Sequence, residues 1–156
     1  MNRNFFALIF CFIGFFHAVI SQETMTIGPM VHINFGGEKI HASYAIETAY
    51  WNYGHFPYSI DGGIEFESGR FRIYSEFQTG VALAGISCGP VFELNKTGAH
   101  LGLQGSVWGN YFLGVDLRIR RIEKITFKSP GVYLKLPIGP GGSKNSNSSN
   151  HNWDWD

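Results

Sequence analysis

Residues 58–78, YSIDGGIEFESGRFRIYSEFQ, hold the pattern that decides the fold. Apolar and polar side chains alternate on both sides of residues 68–69, and this alternation predicts two antiparallel strands joined by a two-residue turn. Such a turn brings charges of opposite sign across from one another in two pairs, Glu65 with Arg72 and Glu67 with Arg70. One face of the predicted hairpin is therefore apolar, and the other face is charged.

The same alternation continues through residues 26–138, where turn signals divide the chain into eight strands. The spacing leaves room for strands of ~9–11 residues, the length that crosses a bilayer at a tilt. An up-and-down meander with an even number of strands can also close on itself, which removes both edges. We therefore predict an all-β fold, an eight-stranded antiparallel up-and-down barrel. Its predicted turns fall at residues 36–37, 52–56, 68–69, 80–81, 95–98, 108–110 and 122–128.

The orientation of the two faces decides between a membrane barrel and a soluble one. A soluble barrel encloses its apolar face, whereas a membrane barrel turns that face to lipid. Small residues cluster on the charged face, large apolar residues crowd the other, and aromatic residues such as Trp51 and Trp108 bunch at even-numbered turns. We interpret these aromatic residues as a girdle at the periplasmic rim. The prediction is a transmembrane β-barrel, and the alternative is a soluble secreted or periplasmic lipocalin-like barrel that binds an apolar ligand.

In a membrane barrel the charged face lines the lumen. Buried charge is tolerated when it is paired, so we expect a salt-bridge network that plugs the barrel. Its predicted members are Asp61, Glu65, Glu67, Arg70, Arg72, Glu76, Asp116 and Arg118.

The two ends of the chain differ from the predicted barrel domain, residues 22–138. Residues 1–21 have a short basic start and then an apolar run, which predicts a secretory signal peptide cleaved between Ser21 and Gln22. Residues 139–156, GPGGSKNSNSSNHNWDWD, are rich in glycine, serine and asparagine and predict a disordered tail. The formal net charge of zero gives no basic excess of the kind that binds nucleic acid.

With this leader, alternating strands, short turns and a charged face, residues 26–138 resemble the small outer-membrane β-barrels of diderm bacteria, the OmpA/OmpX-like transmembrane barrels. The resemblance implies a porin-like protein of the cell envelope that the barrel assembly machinery inserts into the outer membrane. It also implies a lumen too narrow for a wide pore. We expect a monomer with no cofactor and with a structural or surface-interaction role.

Two histidines raise the question of a metal site. If residues 36–37 form the first turn, His32 and His41 lie opposite each other on the polar face, at a spacing that suits a shared metal ion. Their neighbours are Asn34 and Lys39, and no third ligand is evident in the sequence. We therefore predict a structural histidine pair and no metal.

A second group contains the side-chain types of a hydrolase. His100 is predicted to lie opposite Glu93, with Ser87 and Ser106 on the same face. A nucleophile, a base and an acid are the parts of a catalytic triad, but a polar lumen supplies such sets without any motif. We predict no catalytic residue and no enzyme, and a lipid-modifying barrel enzyme of the outer membrane (a hydrolase or deacylase) is the weaker alternative.

Basic residues gather around the last predicted turn, which is extracellular if the chain starts in the periplasm. They are Arg120, Arg121, Lys124 and Lys128, beside Arg118. Cations suit the phosphates of an anionic lipid surface, so these four side chains are the predicted contact with lipopolysaccharide. The alternative is a solvated loop with ordinary charges.

Overall fold

The computed structural model describes residues 23–37, 39–53, 56–81, 83–110 and 112–138. Their strands are β1 (Glu23–Asn34), β2 (His41–Asn52), β3 (Tyr58–Glu67), β4 (Arg70–Val81), β5 (Ala84–Asn95), β6 (Gly98–Gly109), β7 (Leu113–Ile122), β8 (Ile125–Leu134) and β9 (Leu136–Ile138). Lys135 alone separates β9 from β8, so β9 continues that strand. The predicted signal peptide, its cleavage site and the predicted tail lie outside the described residues, and the domain boundaries stay predictions.

The sheet closes into a ring. Each strand from β1 to β8 pairs antiparallel with the next, and β1 also pairs with β8 and with its continuation β9. The ring therefore contains eight strands, and the predicted eight-stranded up-and-down barrel is confirmed. Within the described part of the chain, no helix is long and apolar enough to cross a membrane.

Side chains alternate between the two sides of the barrel wall, because successive residues of a strand point to opposite faces. In β7, Leu117 and Ile119 face outward, while Arg118 and Arg120 are 1% and 0% exposed. On the outer side of β6, Leu101 is 72% exposed. This arrangement inverts that of a soluble protein and confirms the predicted outward apolar face. The lipocalin-like alternative is wrong, because it needs the apolar face inside.

Of two turns predicted at glycine-containing dipeptides, one is present in the structure and the other is not. The turn at residues 68–69 joins β3 to β4 as predicted, and Gly69 has a φ of 75°, which glycine adopts without strain. The turn predicted at residues 80–81 is wrong, because β4 extends to the end of that dipeptide. Gly80 lies in the wall, where a Cβ would be 2.8 Å from the ring of Trp108. This glycine therefore marks close packing and not a turn.

The loop predicted at residues 122–128 is also wrong. Only Glu123 and Lys124 separate β7 from β8. Glu123 has a φ of 53°, in the left-handed region that residues other than glycine rarely adopt. This tight turn therefore contains no glycine from which the sequence could have predicted it. The link predicted at residues 108–110 falls slightly later, since β6 ends at Gly109.

Glycines on the inner face make room for rings on the neighbouring strand. The directly opposed pairs are Gly63 with Tyr74, Gly85 with Trp108, Gly114 with Tyr133 and Gly131 with His32. A Cβ added at Gly63 would lie 2.4 Å from the ring of Tyr74, closer than two such atoms can approach. The small residues predicted on the charged face thus serve a narrow, crowded interior.

Candidate functional site

The barrel interior collects ionisable side chains, because the polar member of each alternating pair points inward. The buried acids are Glu47, Asp61, Glu65, Glu67, Glu76, Glu93 and Asp116, and the buried cations are Arg72, Arg118, Arg120 and Lys135. Arg70 lies at the mouth with its side chain 24% exposed. Every residue of the predicted network therefore faces the interior. The alternation also places Glu47, Glu93, Arg120 and Lys135 on this face, although they were not included in that network.

Arg72 is the centre of a first ion-pair group. Its Nη1 donates to Oε1 of Glu65 at 2.6 Å and to Oε2 of Glu67 at 2.7 Å. Its Nε donates to Oε2 of Glu93 at 2.6 Å. Arg70 adds a second cation through its Nη1, which is 3.0 Å from Oε1 of Glu67. The group contains more carboxylates than these two guanidinium groups neutralise, so it requires a further cation.

Arg120 supplies that cation from the opposite wall. It lies on β7 and Glu65 lies on β3, four strands apart in the ring of eight. Both Nη atoms of Arg120 donate to the carboxylate of Glu65, Nη1 at 2.8 Å, and its Nε donates to Gln104 at 2.8 Å. Because the side chain is wholly buried, the prediction that Arg120 contacts lipopolysaccharide is wrong.

Glu47 is the centre of a second group. Its Oε1 is 2.6 Å from Nζ of Lys135. Its Oε2 accepts hydrogen bonds from the hydroxyl of Tyr74 at 2.8 Å and from Nη2 of Arg118 at 3.1 Å. Lys135 also donates to Asp61 at 2.9 Å. These contacts join β2, β3, β4 and β7 to the residue that follows β8.

Gln104 links the two groups. Its Oε1 accepts the hydrogen bond from Arg120, and its Nε2 donates to Oε1 of Glu76 at 2.9 Å. Oε2 of Glu76 in turn lies 3.6 Å from Nη2 of Arg118. One neutral amide thus connects the ion pairs around Arg72 with those around Glu47 into a continuous network.

His32 joins the second group through Asp116, which lies 3.7 Å from Nε of Arg118, and it does not belong to a histidine pair. Its Nε2 lies 3.0 and 3.1 Å from the two carboxylate oxygens of Asp116. The link between β1 and β2 spans residues 35–40, so His32 lies opposite Ser43 and not opposite His41. The predicted pairing of the two histidines is therefore wrong. No cluster of three or more histidine, cysteine, aspartate or glutamate side chains among the described residues could hold a metal ion.

The side chains of the hydrolase alternative do not meet. His100 lies opposite Glu93 in the sheet as predicted. Its ring, however, contacts Glu123 at 2.6 Å through Nδ1 and a threonine hydroxyl at 3.0 Å through Nε2. Ser87 and Ser106 hydrogen-bond to each other at 2.6 Å. These residues form no nucleophile–base contact, and the absence of catalysis stays a prediction.

Two tryptophans assigned to the outer girdle point inward. Trp51 and Trp108 are 3% and 5% exposed, and their rings meet edge to face with centroids 5.5 Å apart. The girdle prediction is wrong for both. On the outer wall at the same end of the barrel, Tyr58 and Phe77 stack with centroids 5.9 Å apart. The inner cluster at this end contains Met30, Ala45, Ala49, Trp51, Trp108 and Tyr133.

The other three predicted lipid-contact residues lie outside the network. Arg121 is on the outer face of β7, Lys128 is on the outer face of β8, and Lys124 is in the turn between these strands. All three are exposed. The charge at this turn is therefore divided, with Arg120 inside the barrel and its neighbours outside.

No protein-family model and no curated protein matches the chain. The chain is similar to a de novo designed transmembrane β-barrel, with a TM-score of 0.50 and 10% identity over 72% of this chain and 95% of that one. It is also similar to the designed barrel TMB2.3, with a TM-score of 0.51 and 10% identity over 75% and 95% of the two chains. The fold is that of a transmembrane β-barrel.

A third similarity is to Ail, the attachment invasion locus protein of Yersinia pestis. Its TM-score is 0.41, with 8% identity over 74% of this chain and 97% of that one. At such low identities, the match to the designed barrels concerns the fold alone. It agrees with the observed distribution of side chains in this transmembrane β-barrel, since a spanning barrel needs an apolar outer wall.

Proposed function

We propose that this transmembrane β-barrel is an integral outer-membrane protein whose own side chains close its lumen, with a structural or surface-interaction role. The contact between Arg120 and Glu65 carries the proposal, because it joins opposite walls of the ring. A lumen that these side chains cross has no room for a wide aqueous path. The interior is thus built to hold the strands together.

Further contacts support closure of the lumen at other levels along the barrel axis. Arg118 reaches Glu47, and its guanidinium also lies 4.5 Å from the ring centroid of Tyr74. Toward the links between β2 and β3 and between β6 and β7, the rings of Trp51 and Trp108 meet in the interior. Ion pairs therefore fill one part of the lumen, and aromatic rings fill the other.

Several features support the outer membrane as the location. A closed antiparallel barrel pairs its backbone groups within the sheet, so it can lie in hydrocarbon without water. Barrels of this small, up-and-down type are the spanning form of outer membranes, and the predicted leader provides export. Insertion by the barrel assembly machinery belongs to the proposal, as does a monomeric state, because closure leaves no unpaired strand edge. Contact of Arg121, Lys124 and Lys128 with lipopolysaccharide is its surface interaction.

Fractionation of cells tests the location. We expect recovery from the outer-membrane fraction with detergent only, and a folded form that migrates faster than the boiled form on a gel. Recovery of the folded chain from the soluble periplasm without detergent would contradict the proposed location.

Conductance across a planar bilayer tests closure. We expect no conductance from the wild type, and small steps from the double variant Glu65→Ser, Arg120→Ser, which removes the cross-barrel pair. The matched control is Arg121→Ser, Lys128→Ser, which removes two outward cations and leaves the interior intact. A steady conductance from the wild type would overturn closure while leaving the membrane location in place.

A further inference from the structure

On the described residues of the barrel, the exposed positive charge lies at one end. Among the described residues, the exposed lysines and arginines all lie in or beside the β1–β2, β5–β6 and β7–β8 links. We call them the cationic rim: Lys39, Lys96, Arg121, Lys124 and Lys128. The same end also carries the exposed acid Glu123, and at the opposite end the exposed charge on the described strands is the acidic Glu23. A barrel with this asymmetry favours anionic headgroups at the cationic rim.

Next to Arg121, the outer wall contains a groove of about 370 Å³. Its lining residues on the outer face are Leu103, Gly105, Val107, Leu117, Ile119 and Arg121, and the inward-facing Ser87, Gln104 and Ser106 also line it. Gly105 lies opposite Ile119 in the sheet, and its missing side chain leaves the wall indented between larger neighbours. The groove is thus apolar along β6 and β7, with a cation at the end that lies at the rim.

A second cation lies within reach of the same end. Arg121 is opposite Thr126 and Lys128 is opposite Ile119, so the two cations are diagonal neighbours on the outer face. Diagonal partners on paired antiparallel strands are about 7–8 Å apart, and both side chains are long and flexible. A phosphate placed between them would receive charge-assisted hydrogen bonds from both.

We propose that this face binds one membrane lipid, with an acyl chain in the groove and its phosphate between Arg121 and Lys128. The groove faces hydrocarbon along its length and headgroups at its charged end, which matches an anionic amphiphile in both parts. The inference rests on the proposed function, because the lipid reaches this wall only if the barrel is in a membrane. It extends that function from general surface contact to a single site.

The two parts of the lipid contribute differently. The bilayer is as apolar as the groove, so the acyl chain gains only closer packing there. The phosphate gains two cations, because Arg121 and Lys128 are diagonal neighbours on the outer face. Selectivity therefore comes from the headgroup, and the groove adds a smaller contribution for any lipid.

Native mass spectrometry of the detergent-solubilised barrel tests the headgroup, with dioleoylphosphatidylglycerol and dioleoylphosphatidylcholine as probes. We expect one copy of the anionic lipid to bind about fivefold more tightly than the zwitterionic one, and Arg121→Gln to abolish this preference. The matched control is Lys96→Gln, on the same rim but directed toward the β3–β4 turn, where its Cε is 3.9 Å from a Cβ built at Gly69. Equal preference in the two variants would overturn the inference, as would displacement of the lipid by inorganic phosphate alone.

A substitution that fills the groove with a larger side chain tests whether the acyl chain binds there. In Ile119→Phe the new ring lies over Gly105, and we expect about threefold weaker binding of both lipids. The control is Ile46→Phe on β2, three strands away around the ring, where the isoleucine is 50% exposed, close to the 47% of Ile119. Unchanged binding in Ile119→Phe would contradict the groove.

A check on insertion keeps the two proposals apart. Each variant is first refolded into phosphatidylcholine vesicles, and heat-modifiable mobility reports its insertion. A wild-type chain that does not enter vesicles contradicts the proposed function, whereas one that enters and shows no lipid preference contradicts only the lipid site.

Discussion

The β3–β4 and β7–β8 hairpins are built alike and differ in charge. Each has a two-residue turn, and each sets a glycine against a tyrosine on its paired strand. The inner face of β3–β4 carries Asp61, Glu65, Glu67, Arg70, Arg72 and Glu76, and that of β7–β8 carries Asp116, Arg118 and Arg120. The first hairpin is thus net acidic and the second net basic. Neither hairpin balances its own charge, and Arg120 and Arg118 of the second reach Glu65 and Glu76 of the first across the lumen.

We expect the largest loss of stability when the ion pair between Glu65 and Arg120 is broken. Arg120→Met leaves the carboxylate of Glu65 with Arg72 as its remaining guanidinium partner, and removal of one partner of a buried ion pair costs about 3 kcal/mol. Denaturant unfolding of the vesicle-inserted barrel measures this loss of stability.

The adjacent outward residue provides the matched control for that measurement. Arg121→Met removes the same charge one position along β7, and we expect a change within about 0.5 kcal/mol. If the two variants were equally stable, the opposite charges of the hairpins would contribute nothing to their association.

We expect an intermediate loss of stability when a methyl group is added beneath the ring of Tyr74. In Gly63→Ala the new Cβ meets the ring of Tyr74 at 2.4 Å, and such overpacking costs about 2 kcal/mol. The neighbouring Gly62 faces outward, and a Cβ there comes no closer than 4.0 Å to another residue. Gly62→Ala is therefore expected to leave the unfolding midpoint nearly unchanged. If the unfolding midpoint of Gly63→Ala equalled that of Gly62→Ala, the packing of Tyr74 would not depend on a glycine at position 63.

Substitutions in the β3–β4 and β7–β8 turns are expected to change stability least, and in opposite directions. Gly69→Ala forces a side chain into the left-handed region and costs about 1 kcal/mol, whereas Glu123→Gly relieves the same strain and gains about 0.5 kcal/mol. Because Glu123 also contacts His100, the variant His100→Ala measures the loss of that contact separately. A loss of stability in Glu123→Gly beyond that of His100→Ala would contradict the strain at this turn.

The alternation of side chains predicts the wall of the barrel almost completely. Leu117, Arg118, Ile119 and Arg120 occupy the faces that a period of two assigns to them, because strand geometry leaves no other choice. The same rule places Trp51 and Trp108 inside. Closeness to a turn does not decide which face a strand residue occupies, so it is a poor guide to the girdle. For the same reason, Arg120 faces the lumen although its sequence neighbour Arg121 faces outward.

Contacts across the lumen lie beyond what the sequence can predict. Neighbouring strands follow from the turns, so Glu65 opposite Arg72 could be deduced. Which side chains meet from opposite walls depends on the tilt and stagger of the closed sheet, and no local pattern marks Glu65 as the partner of Arg120. The turn at Glu123 escapes prediction for a related reason, because the closing strands impose its conformation and no glycine signals it.

Partners in the interior lie far apart along the chain, 55 residues for Glu65 and Arg120 and 74 for Asp61 and Lys135. If hairpins entered the bilayer one at a time, the early carboxylates would meet hydrocarbon long before their cations arrived. We therefore expect the barrel to enter the membrane late, after β7 and the residue that follows β8 have brought their cations to the early carboxylates.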